Sequence, residues 1–170
     1  MLFDVRFKIV YPFINIYHCG DFMDIKYRKA ENYDIDYIKK LVRENLGEVI
    51  VTSFKGDFDY DVFVGKAVMD RYSYIVLCDM CPCGFLWYSI KGAFLHVNTI
   101  VLSKEYQNKG IGSAVFKELE EFGRQINLSF LQLGVQGVNK KAIKFYERLG
   151  FINRAYVQEF DTFYMQKRIR

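Results

Sequence analysis

Proline is nearly missing from this sequence: Pro12 and Pro82 are the only two in 170 residues. No proline-, glycine- or serine-rich tract reads as a linker or a disordered region, and the length suits one domain. A surplus of one charge is missing too. Lysine and arginine number 24 against 20 aspartates and glutamates, a net +4, and the two signs are interleaved. That excludes the basic stripe of a nucleic-acid binder, while leaving room for a small anionic ligand. The apolar stretch "FKIVYPFINIY", residues 7–17, is broken by Lys8, Pro12 and Asn15, and a membrane helix needs about 20 residues. No small-residue cleavage site follows it, so a secretory signal is not expected either.

Cysteine is sparse as well, at Cys19, Cys78, Cys81 and Cys83. Without an export signal, reduced thiols in a cytoplasm are the expectation. Cys78, Cys81 and Cys83 lack a fourth nearby ligand and bracket Pro82 and Gly84 as a hairpin turn would, so no metal is assigned to them.

What is present is core material, 51% hydrophobic and 18% aromatic. The patterning predicts a strand over 25–29 and an amphipathic helix over 31–45 carrying Ile35, Ile38, Leu41 and Val42. "KGDFDYD" predicts a loop and "VFVGKAVMDRY" a short helix. Strands follow over 73–79, 85–90 and 93–102, joined by "CPCG" and "KG" turns. A helix over 110–126 aligns Ile111, Val115, Leu119, Phe122 and Ile126. Then come a strand over 128–135, a helix over 139–149 capped by Asn139 and stopped by Gly150, and two closing strands over 151–166.

The joint "QNKGIGSAV", after the 93–102 strand, is the first chemical signal. A helix start leaves its first backbone N–H groups unpaired and carries partial positive charge, so it attracts anions. Glycines let the anion reach the backbone. Two familiar phosphate patterns fail here, because Val115 stands where the dinucleotide fingerprint wants glycine and Lys109 precedes Gly110 instead of following the second glycine. On this stretch alone, a strand-to-helix turn using glycine for positive φ explains the residues equally well.

The downstream segment "LGVQGVNKKAIKFYERLGF" changes the balance. Gln107, Gly110 and Gly112, followed by Asn139, Ala142, Phe145, Tyr146, Gly150 and Phe151, resemble the paired motifs of the GNAT superfamily of acetyl-CoA-dependent N-acetyltransferases. The resemblance spans residues 25–168 in layout and is sharpest over 97–151. It implies an α+β fold with a central mixed, mostly antiparallel sheet of about seven strands, helices on both faces and splayed strands at the acyl-CoA site. Residues 23–170 then form the N-acetyltransferase domain, and 1–22 an N-terminal extension with Met23 as an alternative start.

The resemblance further implies acetyl-CoA as co-substrate. Its pyrophosphate would lie on Gln107, Asn108, Lys109, Gly110, Ile111, Gly112 and Ser113, and its pantetheine arm between the edge at Ile100, Val101 and Leu102 and the one at 133–135. Asn139 would contact the cofactor as well as cap its helix. Tyr146 matches the family's tyrosine, which protonates the departing sulfur; a phenol with a pKa of about 10 is still protonated at neutral pH. His96, eleven residues before Gln107, stands where some members carry a glutamate base, a departure from them, and an imidazole is able to take the amine's proton. It reads equally as a structural strand residue.

Asp57, Asp59 and Asp61 fall where the fold shapes its acceptor pocket, and a cationic amine would be drawn to them; a solvated run is the plainer reading. The expected acceptor is a small-molecule or peptide amine, with no nucleic acid or membrane partner, and the protein a monomer or homodimer. Two rival readings stay open: a CoA-binding regulatory module without transfer, and a transferase for protein lysines or N-termini.

Overall fold

The computed structural model describes residues 15–18, 21–54 and 58–170. In chain order the elements are β1 (Asn15–His18), β2 (Asp21–Lys29), α1 (Ile35–Phe54), α2 (Tyr60–Met69), β3 (Ser73–Cys78), β4 (Cys81–Lys91), β5 (Phe94–Leu102), α3 (Ile111–Gln125), β6 (Phe130–Gln136), α4 (Lys140–Arg148), β7 (Ile152–Val157) and β8 (Thr162–Arg168). They build one mixed sheet in the order β1-β2-β3-β4-β5-β6-β8-β7. Every neighbouring pair is antiparallel except β5 and β6, which α3 connects as a crossover. Among the described residues no helix is long and apolar enough to cross a membrane.

Two apolar cores lie on the two faces of the sheet. Ile111, Val115, Phe116 and Leu119 of α3 pack with Leu95, Val97, Leu131, Leu133 and Phe151, joined by Phe145 and Tyr146 of α4. On the other face Ile38, Leu41, Val42 and Ile50 of α1 and Val64, Ala67 and Val68 of α2 pack on Ile75, Phe85, Trp87 and Val101. The first helix outruns its predicted end because Leu46 and Ile50 continue its apolar stripe past Gly47. Asp59 caps α2, its Oδ1 accepting from Asp61 N at 2.8 Å and Val62 N at 3.0 Å.

The turn expected at "CPCG" sits elsewhere. The chain reverses at Asp79 and Met80, both with positive φ (51° and 66°), as a two-residue primed hairpin turn requires. Cys81, Pro82, Cys83 and Gly84 begin β4 instead. Gly84 is small because β5 passes close by: a Cβ there would stand 2.7 Å from the Val101 carbonyl oxygen. At the N-terminal end, β1 pairs with the start of β2, Ile16 opposite Met23, so the last part of segment 1–22 borders the sheet. Residues 7–14, Cys19 and Asp57 lie outside the described residues.

One irregularity positions the site. Trp87 pairs with Thr99 but Tyr88 with Val97, leaving Asn98 as an extra residue in β5. A bulge of this kind bends its strand and reverses the alternation of side chains. Before it, Leu95 and Val97 face the α3 core; after it, Ile100 and Leu102 do, while Val101 turns to the α1 core. Pairing of β5 with β6 ends at Val97–Leu133, beyond which the two strands have no shared ladder.

Candidate active site

The gap between the diverging strands leads to the turn that starts α3. Asn108 and Gly110 there have φ of 60° and 81°, the left-handed region that glycine enters without strain. Ala114 N–H, bonded to the Gly110 carbonyl at 3.0 Å, is the first of this helix to find an acceptor. The N–H groups of Asn108, Lys109, Gly110, Ile111, Gly112 and Ser113 have none among the described residues. Six consecutive donors at a helix N-terminus form an anion cradle. Gly112 has a second purpose, since a Cβ on it would stand 3.2 Å from Phe145 Cζ. The first turn of α3 thus lies directly against α4.

A cavity of about 460 Å³ opens here, lined by Ile100, Val101, Leu102, Gln107, Asn108, Gly110, Gly112, Ser113, Asn139 and Tyr146. Two of the cofactor-binding residues expected from sequence are not in its wall. Ile111 is fully buried in the α3 core, and the Lys109 ammonium stands 5.6 Å over the Tyr106 ring. Asn139 caps α4, its Oδ1 accepting from Ala142 N at 3.1 Å, which leaves its amide NH₂ for the cavity. Gln107 spends its side chain on the protein: Nε2 donates to Asn45 Oδ1 at 2.8 Å and to the Leu102 carbonyl at 2.9 Å.

Tyr146 is held by rings, with Phe116, Phe145 and Phe151 centred 5.5, 5.3 and 5.9 Å from it. Burial among them disfavours the phenolate and pushes its pKa up to about 12. The phenol is therefore a standing proton donor at neutral pH.

His96 does not line the cavity. It pairs with Gln132 in the last stretch of the β5–β6 ladder, and strand alternation turns it to the face opposite Leu95 and Val97, the α1 side. Burial, then the charge of Lys91, holds its pKa below the usual histidine value against a hydrogen bond with Gln132, so the imidazole is neutral at pH 7. The acidic run is committed elsewhere: Asp59 caps α2, and Asp61 is paired with Lys39.

The cavity wall also holds Asn45 and Leu46 of α1 and Lys141, Ala142, Phe145 and Arg148 of α4. Ala142 and Phe145 were visible in the sequence as motif positions, whereas Lys141 and Arg148 were missed because nothing local sets them apart from other surface cations, and the contact of α1 with the loop is a tertiary fact that no local pattern carries.

The sequence matches the profile of the Acetyltransferase (GNAT) family over residues 38–151, two thirds of the chain. An uncharacterized N-acetyltransferase of Methanocaldococcus jannaschii is 26% identical over 129 residues, 75% of this chain and 78% of that one. The thialysine N-epsilon-acetyltransferase of Bos taurus is 33% identical over 66 residues, 39% of this chain and 39% of its own length. The fold is similar to that of the PaiA N-acetyltransferase from Thermoplasma acidophilum, solved in complex with coenzyme A, with a TM-score of 0.66 and 19% identity over 86% of this chain and 99% of that one. The chain belongs to the GNAT family, and it is an acetyltransferase.

Proposed function

We propose that the protein moves the acetyl group of acetyl-CoA to a primary amine by direct attack, without a covalent enzyme intermediate. The observation that carries this reading is the row of unpaired N–H groups from Asn108 to Ser113 opening on the same cavity as the Tyr146 phenol. Those donors fit a diphosphate, and the edges at Ile100 to Leu102 and beyond Leu133 fit an extended pantetheine arm. Tyr146 supplies the proton to the departing sulfur. His96, neutral and outside the cavity wall, draws the proton of the incoming amine through water.

The acceptor is a small-molecule or peptide amine, and the protein acts as a monomer or a homodimer. Free thiols at Cys78, Cys81 and Cys83 fit a cytoplasmic setting. The test is thiol release from acetyl-CoA across a panel of polyamines, amino acids, aminoglycosides and peptides. One amine class should accelerate it. Tight coenzyme A binding with no release for any amine would replace the enzyme reading with that of a regulatory module.

A further inference from the structure

The three cysteines that the acetyl-transfer reading leaves unused stand together beside the anion-binding loop. Cys78 and Cys81 flank the Asp79–Met80 turn and are register partners. Residues directly opposite in an antiparallel pair share a face with Cα atoms about 4.5–5.5 Å apart, inside the range that a disulfide accepts. Their exposures differ sharply. Cys81 is exposed, whereas Cys78 and Cys83 are 1% and 0% exposed. The Cys83 thiol hydrogen-bonds to Cys78, and that bond, ahead of the opposing effect of burial, holds the Cys78 thiol below its usual range. One thiol is thus open to solvent, and its strand partner is buried beside it in contact with a third.

The hairpin touches the loop at two points. Ser103 N–H, at the end of β5, donates to the Cys83 carbonyl at 2.9 Å. Tyr106, next to Gln107, packs on the same core as Cys78 and Cys83 and lies within electrostatic reach of all three thiols. Lys109 rests over the Tyr106 ring.

We propose that the Cys78–Cys81 pair is a redox-modifiable dithiol that forms a disulfide by exchange with a low-molecular-weight disulfide, and that the oxidised hairpin weakens coenzyme A binding through Tyr106 and Lys109. The Cys81 thiolate attacks the small disulfide, forming a mixed disulfide and expelling one small thiol. The Cys78 thiolate then attacks Cys81 Sγ, closing the protein disulfide and expelling the second. Two protein thiols are oxidised, the small disulfide is reduced to two thiols, and the two protons pass to those thiols. Drawing Cys81 inward on Cys78 changes the surface under Tyr106, and the loop cation stacked on that ring shifts with it.

Oxidised glutathione is the probe, with two readouts. After unfolding and alkylation, the tryptic peptide 72–91 should carry one alkylated cysteine, Cys83, and lack two hydrogens. Calorimetry with coenzyme A should show affinity weakened about fivefold or more, the lower range of allosteric couplings, and restored by dithiothreitol. Cys81→Ser, at an exposed position, should abolish both effects; Cys78→Ala should stop at a mixed disulfide on Cys81. Three alkylated cysteines after treatment, or a Cys78–Cys81 disulfide with unchanged affinity, overturns the proposal. The affinity claim rests on the coenzyme A reading. If the reduced protein gives no heat with coenzyme A, that reading and the affinity claim fall together, while the peptide map still decides the disulfide.

Discussion

The Gln107 side chain joins three elements at the mouth of the cavity, and its partner Asn45 is 62 residues away in sequence, on α1. Asn45 Nδ2 donates to the Leu41 carbonyl at 2.8 Å, which turns Asn45 Oδ1 toward Gln107 Nε2 at 2.8 Å. Gln107 also donates to the Leu102 carbonyl and accepts from Lys141 Nζ at 3.3 Å. Its amide shapes the loop, leaving anion contact to the backbone around it.

Gln107→Ala should therefore raise KM for acetyl-CoA while leaving kcat nearly unchanged. A side-chain hydrogen bond contributes about 1 kcal/mol, so the loss of two or three corresponds to roughly 30- to 150-fold in KM. Asn45→Ala should reproduce part of that loss, and the double variant should cost less than the sum of the two. Strict additivity in steady-state kinetics would disprove the coupling.

Gln107 shows how much was legible in the sequence. The loop, Asn139, Tyr146 and the turn at Gly150 were all readable, because each is a local pattern of turn, cap and motif. Asn45 and Leu46 were not, since nothing in residues 45–46 announces that α1 passes the start of α3. The strand order was only partly readable: the resemblance implied a mixed sheet with strands splayed at the acyl-CoA site, yet neither the parallel β5–β6 pairing nor the Asn98 bulge that divides those strands leaves a sequence mark. Gly84 was misread as a turn residue because a glycine required by a passing strand looks the same in one dimension as one required by positive φ.

Tyr146→Phe removes the phenol proposed to protonate the departing sulfur without emptying the ring cluster around it. We expect kcat to drop about 100-fold, the lower end of general-acid contributions, with coenzyme A affinity kept. Because the phenol is raised to about 12, Tyr146 should impose no alkaline fall in kcat below pH 11. A loss of activity near pH 9–10 that vanishes in the Phe variant would contradict its buried setting.

Glu118 on α3 is a carboxyl that burial raises from 4.5 to about 7, with the charge of Glu121 adding to the shift and a hydrogen bond with Tyr27 opposing it. The folded state thus keeps a proton that the unfolded chain releases. Its stability is full below pH 4.5 and declines as pH rises to 7. Glu118→Gln should remove that decline, so thermal melts of variant and parent should diverge upward from pH 5 to pH 8. In a domain of this size each kcal/mol gained is worth about 2–4 °C. Parallel pH profiles would mean that Glu118 is ionised throughout.

Asp34, 4% exposed, receives both arms of the Arg28 guanidinium at 2.6 Å and the Glu31 N–H at 2.9 Å. Burial alone would raise its pKa; Arg28 and the Glu31 amide overcome that and hold it below the usual carboxylate range. This pair ties β2 to the turn before α1. Asp34→Asn should cost about 1–2 kcal/mol in denaturant titration, because the Arg28 side chain, 34% exposed, recovers part of its solvation when its partner is neutralised. In the parent, the contribution is present above the unfolded carboxylate pKa and is lost as pH falls through the folded one.

The most direct measurement is calorimetric titration of acetyl-CoA into the parent protein and into Gly110→Glu. This substitution forces a side chain into a left-handed position with φ of 81° and adds negative charge at the start of α3. The parent should bind and the variant should lose measurable binding, with the circular dichroism of both unchanged. Equal binding by two folded proteins would mean that the N–H groups from Asn108 to Ser113 do not hold the diphosphate.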